Sequence, residues 1–109
     1  MAYKASHKFA RIAPRKARLV ADLIRDKSVD EALSALDFSS RRGAWFIKSV
    51  LKSAIANAEE ANADVGRLIV SESRIDEGPT IKRFQPKDRG RAHPIMKRTS
   101  HIHVAVDLR

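Results

Sequence analysis

The sequence predicts an α+β fold: a small three-stranded antiparallel sheet packed against three helices, with a long protruding β-hairpin. Three observations carry this. An alternating segment is followed by three consecutive segments of helical period. Residues 67–75 and 101–108 then alternate again, and the basic stretch between them holds almost nothing apolar. Helices grouped together, rather than interleaved with strands, favour α+β over a parallel sheet. At 109 residues a single domain, 1–109, is expected, with 80–100 as its extended hairpin.

The first strand is "YKASHKFARI". Lys4, Ser6 and Lys8 share one face, with Tyr3, Ala5 and Phe9 on the other. "PRKARLVADLIRDK" reads as a helix. Pro14 suits the first helical position, whereas Ala13 before it offers no capping oxygen. Ala17, Val20, Ala21, Leu23 and Ile24 form its apolar arc, opposite Arg15, Arg18, Asp22 and Arg25. "SVDEALSALDF" follows as a short helix, with Ser28 and Glu31 spaced as a capping box. The longest helix runs from about 40 to 62. Ala44, Ile47, Leu51, Ala54, Ile55 and Ala58 repeat there at three- and four-residue intervals. Trp45, sharing a side with Lys48 and Lys52, is expected to cap the core. "DEGP" (76–79) is a turn, in which Gly78 permits positive φ and Pro79 ends the ladder.

Cysteine is absent, which excludes disulfides and thiolate zinc sites. No apolar run approaches the roughly 18 residues of a membrane span, and the N-terminus lacks the apolar middle of a signal peptide. A cytoplasmic protein without a membrane partner is expected. The net charge of +9 is segregated. Residues 1–27 carry +6, residues 28–79 carry −3, and residues 80–103 carry +6. Two basic blocks flanking an acidic middle point to one side that faces a polyanion and another that faces solvent.

The stretch "KRFQPKDRGRAHPIMKRTSH" (82–101) sharpens this. It sets seven Lys/Arg against Asp88 alone, with Phe84, Ile95 and Met96 as its sizeable apolar residues. Gly90 stands at its middle, so Arg89-Gly90-Arg91 reads as a turn, with Phe84 opposite Met96. A free two-stranded ribbon is marginal in water, and Pro86 and Pro94 interrupt its ladder. Such arms are expected to be ordered by a partner of dense negative charge, through counterion release and bidentate arginine–phosphate contacts. Folded RNA, recognised by shape and backbone, suits an extended ribbon.

"RIAPRKARLVADLIRDK", "KSVLKSAIANAEE" and "DEGPTIKRFQPKDRGRAHPIMKRTSHI" together resemble the ribosomal protein twenty-two family of the bacterial large subunit. The resemblance spans about residues 3 to 107. It implies a structural, non-enzymatic role in translation without a cofactor, and partners in large-subunit (23S) rRNA and neighbouring ribosomal proteins. It also implies a part in subunit assembly. The globular part is then expected on the subunit surface near the exit of the nascent-peptide tunnel. The hairpin penetrates the rRNA so that its tip lines the tunnel beside the nascent peptide, near where macrolides bind. The residues expected at rRNA are Lys4, Lys8, Arg11, Arg15, Lys16, Arg18 and Arg25 from the first block. Lys82, Arg83, Lys87, Arg89, Arg91, Lys97, Arg98 and His101 come from the second. The tunnel-side tip is expected at Lys87, Asp88, Arg89, Gly90, Arg91, Ala92, His93 and Pro94. No homo-oligomer is expected. Three positions depart from the family: Ala13 replaces a serine cap, Asp26 stands where glycine often precedes the lysine, and Asp88 brings an acid to the tip.

Other constellations weigh less. His101-x-His103 puts two imidazoles on one strand face, but no carboxylate pattern completes a metal site. Asp76-Glu77 and Glu59-Glu60 are adjacent pairs whose side chains diverge, which disfavours acid/base work. A DNA-binding helix-turn-helix needs a basic recognition helix. The candidate, Arg41 to Asn62, ends acidic and Ala-rich. A small nuclease needs clustered carboxylates, and none stands out.

Overall fold

In a computed structural model, residues 2–87 and 91–108 are described, with side chains for 2–80 and 97–108. The order is β1 (Tyr3–Ala10), α1 (Pro14–Ile24), α2 (Val29–Phe38), α3 (Arg42–Glu60), a 3-10 turn (Val65–Arg67), β2 (Leu68–Glu77), β3 (Ile81–Lys87), β4 (Arg91–Lys97) and β5 (Ser100–Leu108). β5 lies between β1 and β2, antiparallel to both, while β3 and β4 pair with each other. The α+β architecture read from the sequence is the one observed.

The core lies between the helices and one face of the sheet. α3 packs on β1 and β5, α1 packs on β2, and α2 braces both helices. Ile24, Ile47, Leu51, Leu68 and Ile102 are fully buried. Leu23 is a correction: it is 46% exposed, so the inward stripe of α1 is narrower than its apolar arc.

Helix ends follow local chemistry. Pro14 opens α1, and Ala13 makes no side-chain cap. In α2 the Ser28 hydroxyl accepts the N–H of Glu31 at 3.3 Å, the forward half of a capping box. α3 closes in a Schellman motif. Asn62 adopts φ 61°, its N–H reaches Glu59 O at 2.9 Å, and the Ala63 N–H reaches Ala58 O at 3.0 Å.

After α1 the chain turns through Asp26 at φ 65°. This conformation lets the Asp26 N–H donate to Val70 O at 2.9 Å and Lys27 O accept from the Val70 N–H at 2.8 Å, stitching the loop to β2. A left-handed residue favours glycine, the residue the family resemblance expects there. Asp26→Gly should therefore stabilise the fold by about 0.5–1 kcal/mol, read as a Tm rise of a few degrees.

β2 is an edge strand, and Arg18 of α1 and Arg25 at its C-cap cover its free carbonyls. Arg18 donates to Ile75 O from Nε at 3.3 Å and from Nη2 at 3.2 Å, and Arg25 Nη2 donates to Ser73 O at 2.5 Å. Alternate residues of an edge strand point their carbonyls outward, and one helix face seven residues long satisfies both.

β1 is not regular. His7 pairs with Ile102 and Ala10 with Ser100, so Lys8 and Phe9 together stand against His101. That is a β-bulge. Tyr3 and Ala5 face the core as expected, but beyond the bulge the inward places go to Ala10 and Ile12, and Phe9 is 60% exposed. Its placement beside Tyr3 and Ala5 is thus corrected: the extra residue reverses the alternation.

The hairpin base is tightly fixed. The Gly78 N–H donates to Thr99 O at 2.9 Å, and the buried Thr99 hydroxyl donates to Pro79 O at 2.6 Å. Gly78 is required by close approach rather than by positive φ: a Cβ there would lie 2.5 Å from Thr99 Oγ1 and 3.2 Å from the Thr99 backbone. Beyond it Ile81 pairs with Lys97 and Lys87 with Arg91. Phe84 stands opposite Pro94 instead of Met96, so the strand register differs from the one expected about Gly90. Both prolines are accommodated within the paired strands, which run about 20 Å at ~3.4 Å per residue. The radius of gyration is 16.8 Å, against about 13 Å for a compact domain of this size.

Candidate nucleic-acid interface

Four of the cations anticipated from the two basic blocks meet at the base of the hairpin. Two adjoining hollows share Arg11, Ile12, Ala13 and Arg42. Lys16, Arg41 and Gly43 complete one, and Lys97 and Arg98 complete the other. Cations from opposite ends of the chain, Arg11 and Arg98 among them, thereby form one cleft of six. Neither hollow is lined by a carboxylate, and among the described residues none of the six forms an ion pair. Glu77 lines a neighbouring hollow together with Arg98.

Each element has a local reason to be there. Past the bulge, the Ser100 hydroxyl donates to Ile12 O at 2.6 Å, anchoring the chain beside Arg11. Gly43 brings the start of α3 onto Ile12: a Cβ at this position would lie 3.1 Å from Ile12 Cδ1 and 3.4 Å from Val20 Cγ2. That contact delivers Arg41 and Arg42 to Arg11. The Arg42 guanidinium sits 5.6 Å from the Phe46 ring centroid, a cation–π contact that helps to hold it. α1 and α3 both begin here without a side-chain cap or an acid in the first turn, so the positive ends of two helix dipoles add to the side-chain charge.

Several charges elsewhere are paired. On the open face of the sheet Arg74 Nε lies 3.3 Å from Glu72 and 3.7 Å from Asp76, and His103 Nε2 lies 3.2 Å from Asp76. Lys4 borders this face. On the helical side Lys48 pairs with Asp37.

The anticipated residues therefore divide. Arg11, Lys16, Lys97 and Arg98 converge. Arg15 is exposed on α1, and Lys8 is exposed at the bulge. Arg18 and Arg25 hold the β2 edge, with Arg25 also paired to Asp22 at 2.8 Å. His101 Nδ1 accepts the Phe9 N–H at 3.1 Å. It is therefore engaged differently from His103, and among the described residues no group of three or more potential metal ligands gathers. Lys82, Arg83, Lys87, Arg91, Ala92, His93 and Pro94 lie on β3 and β4, with side chains outside the described residues. Asp88, Arg89 and Gly90 lie outside them altogether. Trp45 is corrected: at 66% exposure it is no core cap, because Phe46 takes the inward position and meets it edge-on at 5.0 Å. Arg41 and Arg42 were missed, since they belong to the acidic middle. Their signal was two consecutive arginines at a helix start, where an acid or a cap is the favourable choice.

The model of the Ribosomal protein L22p/L17e family matches residues 5–107. The chain belongs to that family. It is also 57% identical over 107 residues to the Large ribosomal subunit protein uL22 of Ligilactobacillus salivarius (strain UCC118), covering 97% of this chain and 93% of the relative. A member of the L22p/L17e family is a structural constituent of the large ribosomal subunit at work in translation, and not an enzyme. In bacteria that places it in the cytoplasm. Among the described residues no helix is long and apolar enough to cross a membrane.

Proposed function

We propose that this chain binds 23S rRNA through the basic cleft and the hairpin, and so supports assembly of the large subunit. The cleft of Arg11, Lys16, Arg41, Arg42, Lys97 and Arg98 carries the reading, because it concentrates six cations in two hollows that no carboxylate lines. Arginine forks take phosphate oxygens in pairs, and each phosphate contact releases counterions. The cleft grips the backbone where the hairpin leaves the domain, and the hairpin runs on into folded RNA. Its tip, Lys87 to Pro94, lines the nascent-peptide tunnel, while the domain stays at the surface against neighbouring ribosomal proteins. The whole chain, 1–109, acts as one domain with 80–100 projecting from it.

The test is the salt dependence of binding to a 23S rRNA transcript. Arg42→Ala should lower affinity at all rRNA sites alike and reduce the log–log salt slope by about one, with Tm nearly unchanged. An unaltered slope would remove Arg42 from the interface. Wild type should also prefer the transcript to duplex DNA at matched salt, and equal affinity would contradict an RNA-specific role.

A further inference from the structure

Phe9 is held out of the core at an energetic cost. The alternation of β1 would send it inward, but the bulge at Lys8 and Phe9 turns it to solvent, 60% exposed. Its backbone adopts φ 60°, a conformation that bulky residues avoid. Strain of this kind persists only where the surroundings impose it, and it gathers at binding sites. Here the surroundings are specific. The Phe9 N–H donates to His101 Nδ1 at 3.1 Å, and the Phe9 ring meets the imidazole edge-to-face at 4.9 Å and 88°. The ring is thereby braced on one side and open on the other. Lys8 and Arg11, both exposed, flank it, and among the described residues neither has an ion-pair partner.

A rigid exposed aromatic between two free cations is suited to a nucleobase: the ring stacks on its face while the cations take the adjacent phosphates. We propose that Phe9 is a stacking platform for one unpaired base of the RNA, flanked by Lys8 and Arg11. This rests on the RNA-binding function above and adds a contact that charge alone does not supply.

Stability and binding should move apart. Phe9→Gly relieves the left-handed backbone, so its Tm should equal or exceed that of wild type. Its affinity for a 23S rRNA transcript should nevertheless fall about tenfold, the effect of one lost base stack. Phe9→Leu should lose as much, and Phe9→Tyr should retain wild-type affinity. None of the three should change the salt slope, because no phosphate contact is removed. Wild-type affinity in Phe9→Gly and Phe9→Leu, or a loss shared equally by Phe9→Tyr, would overturn the stacking role while leaving the cleft in place. Failure of the wild-type chain to bind the transcript would overturn the RNA-binding reading itself, and the stacking role with it.

Discussion

Excising residues 82–98, with a short Gly-Ser linker joining Ile81 to Thr99, should leave a folded domain that has lost most of its affinity for 23S rRNA. The physical ground is a separation of stability from function along the chain. Among the described residues the buried core cluster is built from the N-terminal strand and the loop after it, the three helices, β2 and β5. The β2–β5 ladder persists to Glu77 and Ser100, and the Gly78–Thr99 and Thr99–Pro79 bonds close its end with residues that the excision keeps. Circular dichroism should therefore show native helix content and a cooperative melt. Binding is another matter, because seven Lys/Arg leave together. Each one that contacts phosphate removes roughly 0.7–0.9 from the salt slope, so affinity near physiological salt should fall on the order of a hundredfold or more. An unfolded variant would show that the hairpin belongs to the core. Undiminished affinity would show that it is not an RNA-binding arm.

The second large effect is expected at the hairpin base. Gly78→Val places a branched side chain where even a Cβ comes within 2.5 Å of Thr99 Oγ1 and 3.2 Å of the Thr99 backbone. Thr99 is 3% exposed and its hydroxyl is committed to Pro79, so it has little room to yield. Overpacking of this kind costs about 1–3 kcal/mol, which for a domain of this size is a Tm loss on the order of 10 °C. Since the same contact sets where the hairpin leaves the sheet, RNA affinity should fall as well. Adding Thr99→Ser, which removes the methyl and keeps the hydroxyl, should recover little, because the hydroxyl oxygen nearest the new Cβ and the tight backbone contact both remain. A Gly78→Val protein with wild-type Tm would refute the close approach.

The two effects bear on what the sequence could tell. The helices were legible because period, the Pro14 start and the Ser28 cap are local properties. The charge segregation behind the proposed polyanion partner is legible because it is a property of the sequence alone. The hairpin register is not legible from composition: centring it on the obvious glycine sets Phe84 against Met96, whereas Phe84 pairs with Pro94. Strict alternation puts Phe9 on the face of Tyr3 and Ala5 because it leaves no place for a bulge, and Trp45 is expected at the core because a large aromatic is more often buried than not. The cleft itself could not be read. It depends on Gly43 meeting Ile12, a contact between distant segments that brings two arginines of an acidic region to the basic ends of the chain.

The most direct test is a density map of a large ribosomal subunit assembled with this chain. RNA phosphates should occupy the cleft, within about 3 Å of the guanidinium groups of Arg11, Arg41, Arg42 or Arg98, with the hairpin continuing into folded rRNA. A cleft open to solvent, or filled only by another protein, would contradict the account.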